Sequence, residues 1–547
     1  MKCRFLVLIV LALLCKSTFS QHRSLPREQS AKPKLVVGLV VDQMRWDYLY
    51  RFRQLYTTGG FNRMMKEGFS CENTLISHLP TYTAVGHTGV YTGSVPAFHG
   101  VVANYWYDKS LRKTVYCSED STVSGVGSNT IAGKMSPVNM WTNSITDELR
   151  LSNQFQSKVI GISLKDRGAI FPAGHSANAA YWYDEYVGKW ISSTYYMKEL
   201  PQWVNEFNAR DRVSALMAQD WNTLKPITDY KLSDDDVVPY ESNVPGEQGN
   251  GFPHRLSAIT KEKNSAIRYT PHGNTYTLEF AKAAIQNESL GKGTATDFLA
   301  VSLSSPDYAG HEFGPNSIEI QDMYLRLDLE FAAFFSYLDS SLGKGNYLFF
   351  LTADHGAAHV SGFLEKHKMP AGIYSESRLG KEINDLVEEK FGFKKAVAKF
   401  DNSQVYLQLA EMKKEGKNVD SIIESIKTFL MAKSFITDVQ DLDEIAEATI
   451  AEPVKSRIIN SYNPKRSGDL QVFFKAGYMD RDSKGTTHGM WNPYDAHIPL
   501  VWMGWGIKPG KTHRETYMTD IAATLAALLN IQMPNGCVGK VITEIIP

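Results

Sequence analysis

Short apolar runs separated by long mixed segments dominate the pattern of hydrophobic and polar positions along the chain. The runs are rich in β-branched or aromatic residues and lack a strict alternation with polar residues, which is typical of strands covered on both faces. They span residues 35–41, 158–164, 298–304, 347–352 and 499–503. We therefore predict an α/β fold in which a mostly parallel central sheet is buried between helices.

Polar residues that could bind ligands or metals follow four of these runs. They are Asp42, the pair Lys165 and Arg167, Asp307, and the pair Asp354 and His355. In open α/β sheets, ligands bind outside the carboxyl ends of the strands. An acid can simply terminate a strand, which explains one such case but poorly explains four. The pattern therefore predicts an active site at the carboxyl edge of the sheet.

Two long segments between the predicted strands have different patterns. Residues 379–398 and 404–450 are rich in Lys and Glu with helical spacing, whereas residues 201–295 contain Pro, Gly and Asn clusters. We predict that insertions at about 201–295 and 371–470 form a cap beside the carboxyl edge, with their charges on solvated helix faces. Residues 519–529 predict a capped amphipathic helix that returns to the core.

The first 20 residues predict a secretory signal peptide. A basic start is followed by an apolar run from Phe5 to Leu14 and by small residues up to Ser20. This run is too short to span a bilayer, and no other uninterrupted apolar run reaches that length. We therefore expect a periplasmic or secreted protein without a membrane span, with residues 21–33 as a linker and residues 34–547 as the catalytic domain.

Charge and cysteine content exclude other classes of protein. The formal net charge is −1, and the absence of a Lys/Arg block argues against a nucleic-acid partner. Beyond the predicted signal peptide the chain has the cysteines Cys71, Cys117 and Cys537, which are too few for a disulfide framework. One bridge, with Cys71–Cys117 favoured, and three free thiols are both compatible with this content. A monomer is expected.

Carboxylates and imidazoles in these settings indicate a two-metal site. The candidate ligands are Asp42, Asp307, His311, Asp354, His355 and His488, with Thr81 as a further one. Hard and borderline cations bind carboxylate oxygen and imidazole nitrogen. Two such cations can stabilise both the attacking and the leaving oxygen of an in-line displacement. The set therefore points to phosphoryl or sulfuryl transfer.

Thr81 is the candidate nucleophile. Residues 78–87 predict a turn that enters a helix, with Thr81 near the helix start. A hydroxyl at this position lies at the positive end of the helix, near N–H groups that favour an alkoxide and a bound phosphate. The alternative is that Thr81 or Thr83 only caps the helix, and the local sequence by itself favours capping.

Ordered motifs along nearly all of the predicted mature chain resemble one family. They are V-V-D-Q-M-R-W-D-Y-L at 40–49, P-T-x-T-A-x-G-H-T at 80–88, T-G-S-V-P at 92–96, S-L-K-D-R at 163–167, D-Y-x-G-H-x-F-G-P-N-S at 307–317, A-D-H-G-A-A-H at 353–359 and T-x-H-G at 486–489. The chain resembles the alkaline phosphatase superfamily, and within it the phosphate-irrepressible bacterial alkaline phosphatases (PafA type). This resemblance implies a three-layer α/β sandwich with a mostly parallel central sheet and inserted cap segments.

The resemblance also implies a role for each candidate residue. Thr81 would be the nucleophile that forms a phosphothreonine intermediate. Two zinc ions would be bound per chain, one by Asp42, Thr81, Asp354 and His355 and the other by Asp307, His311 and His488. Asn104, Lys165 and Arg167 match the residues that bind the phosphoryl oxygens in monoesterases. The implied function is an alkaline phosphatase that hydrolyses small-molecule phosphate monoesters.

Three other functions are considered alongside this one. A phosphodiesterase or nucleotide pyrophosphatase would share both metal sites but would lack the pair Lys165 and Arg167. A sulfatase would need Cys or Ser within C/S-x-P-x-R, where this chain has T-Y-T-A-V at 81–85. A non-catalytic protein that binds phosphate esters would be expected to have lost metal ligands, and none of the set is missing.

Overall fold

The computed structural model describes residues 32–481 and 483–546 of the chain. The predicted signal peptide, residues 1–20, and the predicted linker up to residue 31 lie outside the described residues. Within the described part of the chain, no helix has both the length and the apolar character needed to cross a membrane.

Strands and helices alternate along most of the described chain. The strands are β1 Leu35–Val41, β2 Phe69–Leu75, β3 Tyr105–Asp108, β4 Lys113–Tyr116, β5 Gly125–Val126, β6 Val159–Ser163, β7 Ala179–Asp184, β8 Lys189–Ser193, β9 Asp297–Leu303, β10 Tyr347–Thr352, β11 Gly372–Tyr374, β12 Val397–Asp401, β13 Gln404–Leu407, β14 Ile436–Asp441, β15 Leu470–Phe474, β16 Tyr478–Asp480, β17 His497–Ile498, β18 Leu500–Gly504 and β19 Gly510–Tyr517. The α-helices are α1 Tyr48–Arg51, α2 Phe61–Glu67, α3 Thr83–Thr92, α4 Pro96–His99, α5 Ile145–Leu151, α6 Asp166–Ala173, α7 Gln202–Ala209, α8 Arg212–Met217, α9 Lys263–Ala266, α10 Pro271–Asn287, α11 Ser305–Phe313, α12 Ile318–Leu342, α13 Ser361–Lys366, α14 Glu376–Phe391, α15 Leu409–Lys414, α16 Val419–Met431, α17 Val454–Ser461, α18 Pro493–Ala496 and α19 Asp520–Leu529.

An eleven-stranded sheet forms the centre of the fold, in the order β17-β2-β18-β10-β1-β9-β6-β7-β8-β5, with β19 also paired to β2. The central strands β10, β1, β9 and β6 are parallel, as predicted, and β7, which was not predicted, continues the parallel arrangement. The prediction that 499–503 is another parallel strand is wrong, because β18 pairs antiparallel with β10. The apolar sequence of β18 indicates burial on both faces of the sheet, and such burial does not determine the direction of a strand.

Helices cover both faces of the central sheet. Successive side chains of a strand point to opposite faces. Phe349 of β10 contacts Phe335 of α12 with ring centroids 5.0 Å apart, whereas the next residue, Phe350, contacts Tyr91 of α3 at 6.1 Å. Because the strands are buried at nearly every position, the core consists of these two helix–sheet interfaces. The predicted α/β sandwich with a mostly parallel sheet is confirmed.

The register of the parallel strands brings their carboxyl ends to one level. Val40 of β1 pairs with Thr352 of β10, and Val41 pairs with Leu303 of β9. Ser163 of β6 pairs in turn with Ser302 of β9. The loops that follow these strands therefore start side by side at one edge, where the sequence predicts the active site.

The segment predicted as the insertion at 371–470 contains helices and most of a second sheet, whose strand β15 extends to Phe474. Strands β12, β13, β15 and β14 form a four-stranded antiparallel sheet with its own apolar core, which also includes residues of α14 and α16. The helical interpretation of 379–398 and 404–450 is therefore correct for α14 and α16 but misses the strands β12, β13 and β14. These strands are short: β12 and β14 are partly exposed, and the buried strands β13 and β15 each contain a glutamine, so all four lack the continuous apolar run by which the central strands are identified.

Residues 201–295 contain the helices α7 to α10 at the two ends and a long, largely irregular stretch between them, and their helices pack on the main core. Phe207 of α7, Leu216 of α8 and Phe280 of α10 all belong to the same apolar cluster as the central strands. The predicted C-terminal helix is confirmed as α19, although the side chain of Thr519 makes no capping hydrogen bond. All three described cysteines are free thiols, so the favoured Cys71–Cys117 bridge is not formed.

Candidate metal centre

Most of the predicted ligands are brought together at the carboxyl edge of the sheet. Asp42 directly follows β1, Asp354 and His355 follow β10, and Asp307 lies in the first turn of α11 after β9. All four side chains are almost fully buried. Gly86 of α3 permits the helix to lie against this edge, because a Cβ at residue 86 would be 2.3 Å from the carbonyl oxygen of Asp354.

Residues from distant segments complete the cluster. His311 Nε2 lies 3.3 Å from Asp307 Oδ1, and His488 Nε2 lies 3.6 Å from the same oxygen. His355 Nε2 lies 3.5 Å from both Asp42 Oδ1 and Asp354 Oδ2. The rings of His355 and His488 are stacked with centroids 3.5 Å apart. The carboxylates and imidazoles predicted as ligands therefore form one continuous cluster.

Backbone carbonyl groups orient the three imidazoles of the cluster. His355 Nδ1 lies 2.9 Å from the carbonyl oxygen of Gly356, His311 Nδ1 lies 2.8 Å from that of Thr486, and His488 Nδ1 lies 2.6 Å from that of Thr81. With the proton on Nδ1, each ring donates to its carbonyl and presents an unprotonated Nε2 to the carboxylates. This tautomer is the one that binds a metal ion through Nε2.

Charge and unpaired oxygens fit the binding of divalent cations. Asp42 Oδ1 and Asp354 Oδ2 are buried and accept no hydrogen bond from the described residues. Burial raises the pKa of Asp42, as do the charges of Asp307 and Asp354, and burial lowers the pKa of His488. Burial also lowers the pKa of His355, and imidazoles beside carboxylates that repel one another match the ligand set of a metal site. Two groups of three have ligand atoms within 4.8 Å of one another, namely Asp307, His311 and His488, and Asp42, Asp307 and His355.

Lys165 is the cation that faces the carboxylates of this cluster. Its Nζ donates to Asp42 Oδ2 at 2.7 Å and also to Asp307 Oδ2, and its side chain is 3% exposed. Burial lowers the pKa of Lys165, but the charges of Asp307 and Asp42 outweigh this effect, so that the pKa lies above its ordinary value. The ammonium group is therefore charged and lies beside the carboxylate oxygens of the cluster.

The two threonines of the T-Y-T segment face different surroundings. The hydroxyl of Thr81 donates to the carbonyl oxygen of Met490 and accepts from the N–H of Gly489, both at 3.0 Å. The hydroxyl of Thr83 lies 3.4 Å from Lys165 Nζ and 3.5 Å from His355 Nε2. The structure therefore brings Thr83, and not the predicted Thr81, to the cluster.

Helix capping explains neither hydroxyl. Helix α3 begins at Thr83 itself, its N-cap residue is Tyr82, and no side chain caps its first turn. The backbone N–H of Ala84 in this turn donates to the side chain of Asn104, and the positive end of the helix favours a bound anion. Thr83 therefore combines the position that the sequence suggested for a nucleophile with contacts to the cluster.

Asn104 contacts the same helix start, and Arg167 lies two residues after Lys165 in the first turn of α6. Asn104 Oδ1 accepts from the backbone N–H of Ala84 at 3.0 Å, which leaves the side-chain amide nitrogen as a donor. Arg167 donates through one terminal nitrogen to the hydroxyl of Tyr116 at 2.9 Å, and Tyr116 donates to Asp166. Asp166 therefore orients Arg167, as the sequence suggested, and both predicted substrate-binding side chains retain free donors.

Gln43 and His87 also contact the cluster, although sequence analysis did not assign them. The side-chain amide of Gln43 donates to Asp307 Oδ1 at 2.7 Å, and its backbone N–H donates to Asp354 Oδ1 at 3.1 Å. His87 Nδ1 lies 3.1 Å from Asp354 Oδ2. Gly310 makes room for Gln43, because a Cβ at residue 310 would lie 1.9 Å from Gln43 Oε1. The sequence feature that could have identified Gln43 is its position directly after Asp42, within the motif at 40–49 that resembles the family.

Comparison with known proteins agrees with this arrangement. Residues 36–497 match the family described as type I phosphodiesterase / nucleotide pyrophosphatase. Alkaline phosphatase PhoV of Synechococcus elongatus is 49% identical, and the match covers 100% of both chains. Alkaline phosphatase PafA of Elizabethkingia meningoseptica is 51% identical over 94% of this chain and 95% of the relative. The crystal structure of wild-type PafA superposes with a TM-score of 0.92 at 50% identity, covering 94% of this chain and 99% of that one. The chain therefore belongs to the type I phosphodiesterase / nucleotide pyrophosphatase family of the alkaline phosphatase superfamily.

Proposed function

We propose that this protein is an exported, zinc-dependent alkaline phosphatase that hydrolyses phosphate monoesters through a phosphothreonine intermediate on Thr83. One observation carries the proposal: a buried hydroxyl at a helix start lies within 3.5 Å of both Lys165 and a histidine of a cluster of carboxylates and imidazoles. Names of relatives with about 50% identity over almost the whole chain support the phosphatase activity.

The assignment of Thr83 replaces our sequence-based choice of Thr81. A solved variant of PafA carries substitutions at a threonine, an asparagine, a lysine and an arginine. In that relative the substituted threonine and asparagine are 21 positions apart, as are Thr83 and Asn104, whereas Thr81 lies 23 positions before Asn104. The substituted lysine and arginine are 2 positions apart, as are Lys165 and Arg167. The matching spacing supports Thr83 as the reactive hydroxyl.

Two groups of side chains would hold the zinc ions. In the proposal, one ion is bound by Asp42, Asp354 and His355 together with Thr83, and the other by Asp307, His311 and His488. When bound, two zinc ions supply positive charge that lowers the pKa of a hydroxyl and stabilises the oxygens of an in-line displacement. The neutral Nε2 atoms and the unpaired carboxylate oxygens of the cluster fit this role.

The chain's own residues supply the nucleophile and the binding of the phosphoryl group. Thr83 Oγ1 releases its proton to solvent and attacks phosphorus, the bond from phosphorus to the ester oxygen breaks, and the departing oxygen takes up a proton from water and leaves as the alcohol. Water then attacks the phosphothreonine, which releases inorganic phosphate and restores the hydroxyl. Lys165, Arg167 and Asn104 bind the non-bridging oxygens, and the first turn of α3 offers backbone N–H groups.

The pair Lys165 and Arg167 favours monoesterase over diesterase activity. A monoester dianion has one more charge and one more free oxygen than a diester. Lys165 is buried 3.4 Å from the hydroxyl of Thr83, and Arg167 follows two residues later with a side chain that is 17% exposed, so the pair could bind that extra oxygen. The alternative function is a phosphodiesterase or nucleotide pyrophosphatase, as the family description suggests. A non-catalytic phosphate-ester-binding protein is the weaker alternative, since every ligand position of the cluster is retained.

Export and organisation form part of the same proposal. Cleavage of residues 1–20 would deliver a monomeric protein to the periplasm or the medium, with small-molecule monoesters as partners. The segments 201–295 and 371–470 are proposed to be cap insertions within the catalytic domain, residues 34–547. Their role would be to shape the space beside the metal centre, where α14 and β12 of the second segment contribute side chains.

One assay separates the candidate functions. Purified enzyme with added zinc is given an aryl phosphate monoester, the matching diester and the matching sulfate, and kcat/KM is measured for each. The proposal expects the monoester to be hydrolysed fastest by a wide margin. A preference for the diester would support the phosphodiesterase instead, and turnover of none of the three would support a binding protein.

A further inference from the structure

The ammonium group of Lys165 contacts an aromatic ring as well as oxygen atoms. Its Nζ donates to Asp42 Oδ2 at 2.7 Å, to Asp307 Oδ2 and to Thr83 Oγ1 at 3.4 Å. The same Nζ lies over the ring of Tyr308, 5.1 Å from the ring centroid. An ammonium group has three N–H donors, which the three oxygens can occupy, and the ring adds a cation–π contact to them. Tyr308, the residue directly after Asp307, is therefore a neighbour of the phosphoryl-binding lysine.

Tyr308 is held in turn by the first insertion, residues 201–295. Arg268 lies in a 3-10 helical turn at Ile267–Tyr269, shortly before α10. One terminal nitrogen of Arg268 donates to the hydroxyl of Tyr308 at 3.2 Å, and the guanidinium carbon lies 4.7 Å from the ring centroid. The ring of Tyr269 also contacts that of Tyr308, with centroids 5.0 Å apart. Two adjacent residues of the insertion therefore fix the position of this ring.

Arg268 itself has a defined position. It donates to the carbonyl oxygen of Ser265 at 3.2 Å, to the hydroxyl of Ser265 at 2.8 Å, and to a carboxylate oxygen of Glu185. Its side chain is only 14% exposed. Two cations beside one ring would repel each other, but Arg268 is paired with Glu185, and Lys165 is paired with carboxylates of the metal centre. The two cations can therefore both remain next to Tyr308.

The insertion lies directly against the helix that carries Tyr308. Gly273 is in the first turn of α10, and Ser305 is the first residue of α11. A Cβ at residue 273 would lie 2.1 Å from Ser305 Oγ, so this approach of the two helices requires glycine. The packing of α10 on α11 thus supports the contact between Arg268 and Tyr308.

We propose that Tyr308 is a positioning residue for Lys165, and that Arg268 of the first insertion holds Tyr308 in place. This inference rests on the proposed phosphatase function, in which Lys165 binds a non-bridging phosphoryl oxygen. A lysine side chain has many rotamers, and a ring beside its ammonium group restricts the positions that the charge can occupy. Residues 201–295 supply no proposed metal ligand, yet through this contact they contribute to the preference for monoesters.

The test measures kcat/KM of the zinc-loaded, full-length enzyme for an aryl phosphate monoester and the matching diester. Tyr308→Leu removes the ring and keeps an apolar side chain. We expect monoester kcat/KM to fall by roughly 5- to 30-fold, as loss of a cation–π contact predicts, and diester kcat/KM to fall much less. Tyr308→Phe keeps the ring and loses only the hydroxyl that accepts from Arg268, so it should lose less than Tyr308→Leu.

A double-mutant cycle distinguishes positioning of Lys165 from general damage to the site. In a Lys165→Ala background, Tyr308→Leu should change monoester kcat/KM by less than about twofold, because the residue that it positions is absent. Arg268→Gln should reduce monoester kcat/KM by roughly 3- to 10-fold and add little when Tyr308 is already replaced by leucine. If Tyr308→Leu does not fold, Arg268→Gln in the presence and absence of Lys165 provides the same comparison.

Arg212→Gln is the matched control for Arg268→Gln. Arg212 lies in α8 of the same insertion and is likewise paired with a glutamate, Glu279, at 2.6 Å. This variant should leave the ratio of monoester to diester kcat/KM unchanged. A second measurement is independent of turnover: calorimetric binding of inorganic phosphate should weaken in Tyr308→Leu and Arg268→Gln but not in Arg212→Gln. Elemental analysis should find the same zinc content in all of these proteins.

Four outcomes would overturn the inference. Equal losses on monoester and diester in Tyr308→Leu would assign the ring a general structural role. An undiminished loss in the Lys165→Ala background would show that Tyr308 does not act through Lys165. A lower zinc content in Tyr308→Leu would indicate that the variant acts through the adjacent ligand Asp307. An unchanged ratio in Arg268→Gln would remove the insertion from the argument. Failure of the phosphatase proposal differs from all four, since the unsubstituted enzyme would then hydrolyse no monoester.

Discussion

Replacing the two threonines of the T-Y-T segment one at a time separates chemistry from structure. Thr83→Ala removes the hydroxyl that lies 3.4 Å from Lys165 Nζ, and with it the atom that would bond to phosphorus. We expect kcat/KM for an aryl phosphate to fall by roughly three orders of magnitude or more, because the covalent route is lost. Thr83→Ser keeps the attacking oxygen and should retain much of the activity.

Thr81→Ala should have the opposite profile. It removes the hydrogen bonds to the carbonyl of Met490 and from the N–H of Gly489, each worth about 0.5–1.5 kcal/mol. The free energy of unfolding should therefore fall by about 1–3 kcal/mol. The carbonyl oxygen of residue 81, which faces His488 Nδ1, remains. Activity should stay within about tenfold of the unsubstituted enzyme.

Two measurements test this pair of predictions. Steady-state kinetics and urea unfolding give the losses in catalysis and stability for each variant. Acid quenching during turnover, followed by fragment-ion mass spectrometry, locates the phosphate within the peptide that contains both threonines. Phosphate on Thr81, or near-normal turnover by Thr83→Ala, would refute the argument and restore Thr81 as the nucleophile.

Three further predictions concern substrate, metal and pH. Combining Lys165→Ala with Arg167→Ala should lower monoester kcat/KM by roughly two to four orders of magnitude more than diester kcat/KM; equal losses, with both metals still bound, would favour the phosphodiesterase. Exhaustive chelation should abolish activity and added zinc should restore it, with two zinc ions per chain by elemental analysis; full activity of metal-free protein would contradict the proposal. Burial lowers the pKa of His254, but hydrogen bonds to Glu247 and Glu319 outweigh this and raise it from 6.5 to about 9. The stabilisation of the fold by protonated His254 is complete below pH 6.5 and is lost as pH rises through about 9. Urea unfolding should therefore show a decline in the free energy of unfolding across that range, and the decline should be smaller in His254→Gln.

The central strands and the acids that follow them were predictable from sequence because both signals are local. The predicted strands at 35–41 and 347–352 match β1 and β10 to the residue, and 158–164 differs from β6 by one residue at each end. Burial on both faces leaves a continuous apolar run, and an acid that ends such a run lies at the carboxyl edge by construction. Asp42 and Asp354 were found in this way.

The features that sequence analysis missed depend on contacts between distant segments. Thr81 and Thr83 have similar local sequences, and only the loop at Gly489 and Met490, about 400 positions later, occupies one hydroxyl and leaves the other to the cluster. The direction of β18 is set by the path of the chain before it, which its composition does not record. The sheet of the second insertion consists of short strands, of which β12 and β14 are partly exposed, and their apolar pattern is too brief to distinguish from that of helices.

The backbone contacts of His311, His355 and His488 have a consequence for how the protein can vary. Each ring is held by a main-chain carbonyl, at Thr486, Gly356 and Thr81 respectively, and not by another side chain. Substituting residue 81 or 486 therefore leaves the acceptor in place, provided that the local backbone keeps its path. The orientation of these imidazoles is set by the path of the backbone, so substitution of neighbouring side chains need not disturb the ligands. Insertions or deletions in the loops at 80–82 or 485–489 would misdirect the rings even if every ligand residue were retained.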